Sequence, residues 1–241
     1  MKVIAALVVP SVLAAASLAP AAERPIVLWE IGKPDRSTSD LALGPSGYAD
    51  FLKAFPRDPV FVAGRSDPRK DWPYVHPGSG DAWAGARAHT FSVVFGVGGK
   101  GEGDCALRLH IADVHDQAPP RLRISVNGRA VERDLPRGSS PESIGGRLDR
   151  AKGLRLDVPF PASWLRPGTN AVAITALSGS WLLYDALALE GPQGLAAAPV
   201  GPGPAVLSVE PTPLFPRPAA GQPLRGIMFR HARRGRSIGR S

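Results

Sequence analysis

Cysteine occurs once in these 241 residues, at Cys105, so no disulfide can form within the chain. The fold must therefore be held by its core, and about 170 residues suffice, since a domain of that size buries roughly 70% of its unfolded surface. Long apolar runs are equally scarce. Beyond Val3 to Leu18 no stretch approaches the roughly 20 residues that span a bilayer, which argues against a membrane-spanning segment. Helical periodicity is almost missing between Pro25 and Gly191, where short apolar runs are broken by Gly, Pro, Asn and Asp. Acidic residues are nearly missing from the last 50 positions, which hold seven Arg, no Lys and only Glu210.

What is present fits an exported globular chain. A content of 44% apolar and 21% charged residues excludes wholesale disorder and a membrane bundle. Residues 1–21 carry Lys2, an apolar run and the small-residue pattern Ala19-Pro20-Ala21, which reads as a secretory signal peptide with a mature chain starting near Ala22. The expected location is secreted or periplasmic. The net charge of +8 suggests nucleic acid until it is divided: residues 192–241 carry +6, Lys2 one more, and residues 3–191 only +1. An exported, nearly neutral folded part argues against a nucleic-acid partner.

Nine strands are expected: Ile26 to Ile31, Val60 to Ala63, Thr90 to Phe95, Cys105 to Ala112, Leu122 to Val126, Ala130 to Asp134, Leu154 to Val158, Asn170 to Ala176 and Ser180 to Glu190. That count in one domain, residues 22–191, points to an all-β sandwich or jelly roll. Asn127-Gly128 between Leu122 to Val126 and Ala130 to Asp134 predicts a type I′ hairpin turn. One short helix is expected at Tyr48 to Ala54, where Tyr48, Phe51, Leu52 and Phe55 share a face. Residues 192–241, with nine Pro and seven Gly, read as a linker and basic tail. Either the chain stops inside another β module or this tail is a disordered appendage; 36 residues without a disulfide or metal cannot bury a core of their own.

Several chemical motifs dissolve on their context. Gly96-Val97-Gly98-Gly99-Lys100-Gly101 matches a dinucleotide fingerprint in letters, but a strand follows where the phosphate-binding helix belongs. His110, Asp113, His115 and Asp116 have no metal-ligand spacing and read as a polar strand-end loop. Leu43-Gly44-Pro45-Ser46-Gly47 has the wrong spacing for a nucleophile elbow. Cys105 alternates with Leu107, Leu109 and Ile111, as a small buried hydrophobe does. No metal, cofactor or catalytic group is expected, and a structural calcium lacks support: Asp185 alone is no site.

One loop is rich in residue types that bind sugars: Arg69, Lys70, Asp71, Trp72, Tyr74 and His76. Aromatic rings offer faces to the C–H side of a pyranose, and Arg or Lys pairs with a uronate carboxylate. The alternative is that Trp72 and Tyr74 plug one end of the sandwich. Trp29, Trp164 and Trp181, in or beside apolar strands, read as core.

Three segments in order carry a family resemblance. Leu28-Trp29-Glu30-Ile31-Gly32-Lys33-Pro34-Asp35-Arg36, then Gly64-Arg65-Ser66 with Asp71-Trp72-Pro73-Tyr74, then Trp181-Leu182-Leu183-Tyr184-Asp185-Ala186-Leu187-Ala188-Leu189-Glu190 resemble the carbohydrate-binding-like third domain of rhamnogalacturonan lyases, polysaccharide lyase family 4. The resemblance spans about Ile26 to Gly191 and implies a galactose-binding-like jelly roll. In that family the catalytic domain precedes this one, so no catalytic role carries over. It implies a non-catalytic module for a pectic polysaccharide such as rhamnogalacturonan, working beside a catalytic partner. Two alternatives stand: a spacer that packs on a catalytic domain, marked by an exposed apolar patch, and a small lyase using Tyr74 and His76 as acid and base with Arg69 on the carboxylate.

Overall fold

The computed structural model describes residues 24–201, together with the backbone of 206–212 and 226–231. The expected signal peptide and the rest of the expected tail lie outside the described residues. Eleven strands build two antiparallel-dominated sheets packed face to face, a β-sandwich of jelly-roll type.

The first sheet has the order β1 (Ile26–Gly32), β10 (Leu182–Gly191), β5 (Asp104–Val114), β8 (Leu154–Pro161), and the two-residue β3 (Val75–His76) also pairs with β10. The second has the order β11 (Leu195–Ala198), β4 (Thr90–Gly99), β9 (Gly168–Ser178), β6 (Arg121–Val126), β7 (Arg129–Asp134), with β2 (Val60–Val62) parallel to β4. All nine expected strands form, and most run a few residues longer than the apolar pattern indicates. The cause is that pairing continues wherever a neighbour supplies hydrogen bonds, whatever the side chains.

Alternation decides which side of each strand is inside. Cys105, Leu107, Leu109 and Ile111 of β5 and Phe91, Val93, Phe95 and Val97 of β4 are buried between the sheets. Burial pushes the Cys105 thiol up to about 11, so it stays protonated and unreactive. At the Asn127-Gly128 turn both residues take positive φ, 50° and 88°, which is the backbone of a type I′ hairpin. Asn127 also donates to the Trp164 carbonyl and to the fully buried Asn170, tying this turn to the β8–β9 connection. The expected short helix appears as a 3-10 turn, Gly47–Asp50, running into α1 (Phe51–Ala54).

Three features depart from the sequence reading. The sheet does not end at Gly191: β11 adds to β4, pairing Leu195 with Gly99 and Ala198 with Gly96, so the folded unit reaches beyond the expected boundary. Strands β12 (Val206–Thr212) and β13 (Gly226–His231) pair with each other inside the segment read as linker and tail. And the Gly96 to Gly101 motif has a structural use. A Cβ on Gly96 would stand 2.2 Å from the Ala198 carbonyl oxygen, so only glycine lets β11 come this close. Gly96→Val is therefore expected to release β11, read as new protease cleavage at Leu195 to Ala198 in a domain that otherwise stays folded.

Candidate functional site

The two sheets define one loop-rich end, formed by the connections that follow β1, β3, β5, β7 and β9. At this end Trp72, Tyr74 and His76 are fully buried, which corrects the expectation that they contact sugar. The reason is geometric. Helix α2 (Pro68–Asp71) lies outside, and the chain then dives inward so that Pro73 bridges Ala42 and Val75–His76 pairs with Leu182–Leu183.

Each of the three packs into the interior. Trp72 meets Phe91 at 5.4 Å, Tyr184 at 5.5 Å and Phe61 at 6.2 Å between ring centroids. The Tyr74 hydroxyl donates to the Ile144 carbonyl, and burial raises its pKa well above the usual phenol range. His76 lies flat on Phe91, 3.8 Å away at 4°, with Nδ1 bonded to the Tyr184 hydroxyl at 2.9 Å and Nε2 to the His89 carbonyl at 3.0 Å. Burial lowers the His76 pKa to about 3, so it is neutral. Tyr74 and His76, buried in this way, are not open to a substrate as acid and base, while Arg69 is exposed on α2.

The charged half of the set stays on the surface. Asp67 caps α2 by accepting from the Arg69 backbone N–H at 3.0 Å, and Asp71 accepts from the Asp67 backbone N–H at 2.8 Å. Asp71 is thus a helix-capping group. Lys70 makes an exposed ion pair with Asp67 at 3.5 Å, and Arg69 has no ion-pair partner among the described residues. Of the residues read as a polar strand-end loop, Asp113 is in fact buried and accepts from Ser143 Oγ at 2.5 Å, while His115 accepts from the backbone of Gln117 and Ala118.

A different aromatic pair reaches water at the loop end. Trp83, in the 3-10 turn Ala82–Ala84, and Tyr48 are both half-buried, with ring centroids 5.2 Å apart at 80°. Phe51 supports Trp83 from below at 6.2 Å and 89°. Asp81, which precedes that turn, is anchored by Ser180 Oγ and the Gly78 backbone N–H; its carboxyl is raised by burial, against which these hydrogen bonds and the Trp83 side chain favour the charged form. Trp83 is consequently held on a rigid turn. Trp164, the other half-buried tryptophan, has Phe160 stacked on it at 5.8 Å and Arg129 over it at 5.7 Å. The remaining three tryptophans are buried. Trp83 escaped the sequence reading; its one signal is a tryptophan between Asp81 and Gly85 with no strand pattern around it.

Next to this pair, Asp58 braces the loops. Burial works to raise its pKa, but hydrogen bonds from His89, Arg87 and the Thr90 backbone, together with the Arg87 charge, hold it well below the usual carboxylate range. Lys53 on α1 is exposed and has no ion-pair partner among the described residues.

The β-sandwich is the fold of a carbohydrate-binding-like module. Residues 27–189 match the family described as CBM-like, polysaccharide lyase family 4, domain III, and the chain belongs to that family. No curated protein matches it. Among solved structures, a family 35 carbohydrate-binding module from an environmental isolate is 16% identical, with a TM-score of 0.31 over 48% of this chain and 72% of its own. The family 35 module of Cellvibrio japonicus Abf62 is 17% identical, with a TM-score of 0.30 over 48% and 73%. A β-porphyranase of glycoside hydrolase family 86 from the human gut bacterium Bacteroides plebeius is 21% identical, with a TM-score of 0.32 over 52% of this chain and 19% of that one.

Two stability outcomes follow. Trp72→Ala is expected to cost about 3–5 kcal/mol, whereas Trp72→Phe costs far less because the buried indole N–H has no partner to lose; denaturant midpoints separate the two. For His76 the folded pKa of about 3 lies below the unfolded 6.5, so between these values the unfolded chain binds the extra proton. Stability is expected to fall as pH drops from 6.5 toward 3, approaching about 1.4 kcal/mol per pH unit, and His76→Gln flattens that dependence in thermal unfolding at pH 7 and pH 4.5.

Proposed function

We propose that this carbohydrate-binding module takes an acidic, pectic polysaccharide such as rhamnogalacturonan at its loop end, without catalysis of its own. The observation that supports it is Trp83, half-buried on its turn beside the equally half-buried Tyr48. A pyranose stacks its C–H face on such a ring, and exposed cations nearby, Lys53 first, pair with uronate carboxylates. Arg69 and Lys70 on α2 add a lateral basic pair for the same polymer. The Arg87 guanidinium is held by Asp58 at 2.8 Å and serves the loops instead.

Each exposed contact contributes on the order of 1 kcal/mol, so a single module binds weakly. Binding becomes useful when a catalytic partner or domain shares the same polymer and raises the effective concentration. Export through the segment ending at Ala21 brings the module to such a polymer. No helix of the described residues is long and apolar enough to cross a membrane.

The spacer alternative calls for an apolar patch on a sandwich face. Among the described residues the exposed large hydrophobics are Val27, Leu52 and Val60, which sit on β1, α1 and β2 respectively, so that sign is missing.

The test is affinity electrophoresis of the chain from Ala22 onward through gels containing rhamnogalacturonan, homogalacturonan or a neutral glucan. Retardation by rhamnogalacturonan is expected, with Trp83→Ala weakening it about five- to tenfold. Replacing Arg69 and Lys70 together by Ala should weaken it less, and only at low salt. Equal mobility in all three gels overturns the proposal.

A further inference from the structure

Where β4 and β9 run side by side, the outer face of the second sheet is built unlike a solvent face. Ser92, Val94 and Gly96 of β4 and Ala171, Ala173 and Thr175 of β9 alternate with core residues and so point outward. None is larger than valine and none is charged. Yet Ser92, Val94, Ala171 and Ala173 are only 2–4% exposed. Something lies on them.

The chain itself leads there. After β11 the Arg65 guanidinium holds the Val200 carbonyl at 3.1 Å, and the Gly201 backbone N–H donates to Thr169 Oγ1 at 3.2 Å, which brings residue 201 to the start of β9. Strand β12 then lies against β9. Both edges of β9 are occupied, by β4 and β6, and its inner side chains Val172, Ile174 and Ala176 fill the core. The outer face is the one side of β9 left for β12. The span from Gly201 to Val206 is short enough to keep the segment there, since five residues reach at most about 18 Å.

We propose that the β12–β13 hairpin is a third layer, docked on the outer face of the second sheet by its own chain. Both strand sequences are rich in apolar residues, with Val206, Leu207 and Val209 in one and Ile227, Met228 and Phe229 in the other. Tethering favours this occupant over a second copy, because a short linker holds a segment at millimolar effective concentration. The covered face is then closed to polysaccharide, and a segment with the composition of a basic tail is instead part of the domain.

Thiol chemistry on the full chain tests it, in a Cys105→Ala background. Ala173→Cys is combined in turn with a single cysteine substitution at each position from Val206 to Thr212. After mild oxidation at least one pairing is expected to give an intramolecular disulfide, seen as faster non-reducing migration that reverts on reduction. Separately, the Ala173→Cys thiol is expected to react with maleimide at least tenfold more slowly than the thiol of Arg123→Cys on the neighbouring exposed β6 face. Comparable labelling rates, disulfides only between chains, or no intramolecular disulfide in any pairing each overturn the proposal. Ser92→Cys replaces Ala173→Cys if the latter loses the near-ultraviolet dichroism of the folded chain.

Discussion

The stacking of aromatic rings around Phe91 is the contact on which the rest of this module depends. Phe91 belongs to the second sheet, yet it carries His76 of the first sheet flat against it, Trp72 and Tyr184 at its sides and Phe51 of the loop helix behind. Two sheets, two connections and the loop end meet in one cluster. Without a disulfide, such a cluster has to supply what a covalent staple supplies in smaller exported domains, namely a single fixed relation between the sheets.

From that cluster the loop end is made rigid by polar groups. His76 joins Tyr184 to the His89 carbonyl, while His89 passes the chain of contacts on to Asp58. Tyr74 reaches across to Ile144, and Asp113 reaches Ser143, so the long connection before β8 is fastened twice. These residues look catalytic when they are written in a row. In the fold they satisfy one another in a dry interior, where an unpartnered polar group is costly, and their product is a stiff platform for Trp83 and Tyr48.

The charge distribution follows the same division between scaffold and surface. Arg121 and Arg123 share Glu132 on the exposed side of β6 and β7, and Arg108 joins Glu190 on the outer face of the first sheet. Such pairs keep a sheet face soluble without creating a strong field, in accord with the near-neutral charge of residues 3–191.

Strand identity was legible in the sequence because it depends on local alternation: β5 shows its buried Cys105, Leu107, Leu109 and Ile111 to any reader, and Asn127-Gly128 announces its turn. The family resemblance was legible too, since Trp181 to Glu190 and the Trp29 segment form adjacent strands whose packing constrains their residues. What the sequence could not decide was which aromatic side chains face water. Trp72 and Trp83 both stand in loop-like surroundings; one fills the core and the other tops it, because the direction of a loop is set by contacts with residues far away in the chain, such as Phe91 and Tyr184 for Trp72 and Tyr48 for Trp83. The same holds for β11, whose Leu195-Ala196-Ala197-Ala198 has no alternation to read and becomes a strand only because Gly96 leaves an open edge on β4. Local pattern determined the elements, and long-range packing alone determined the surface they present.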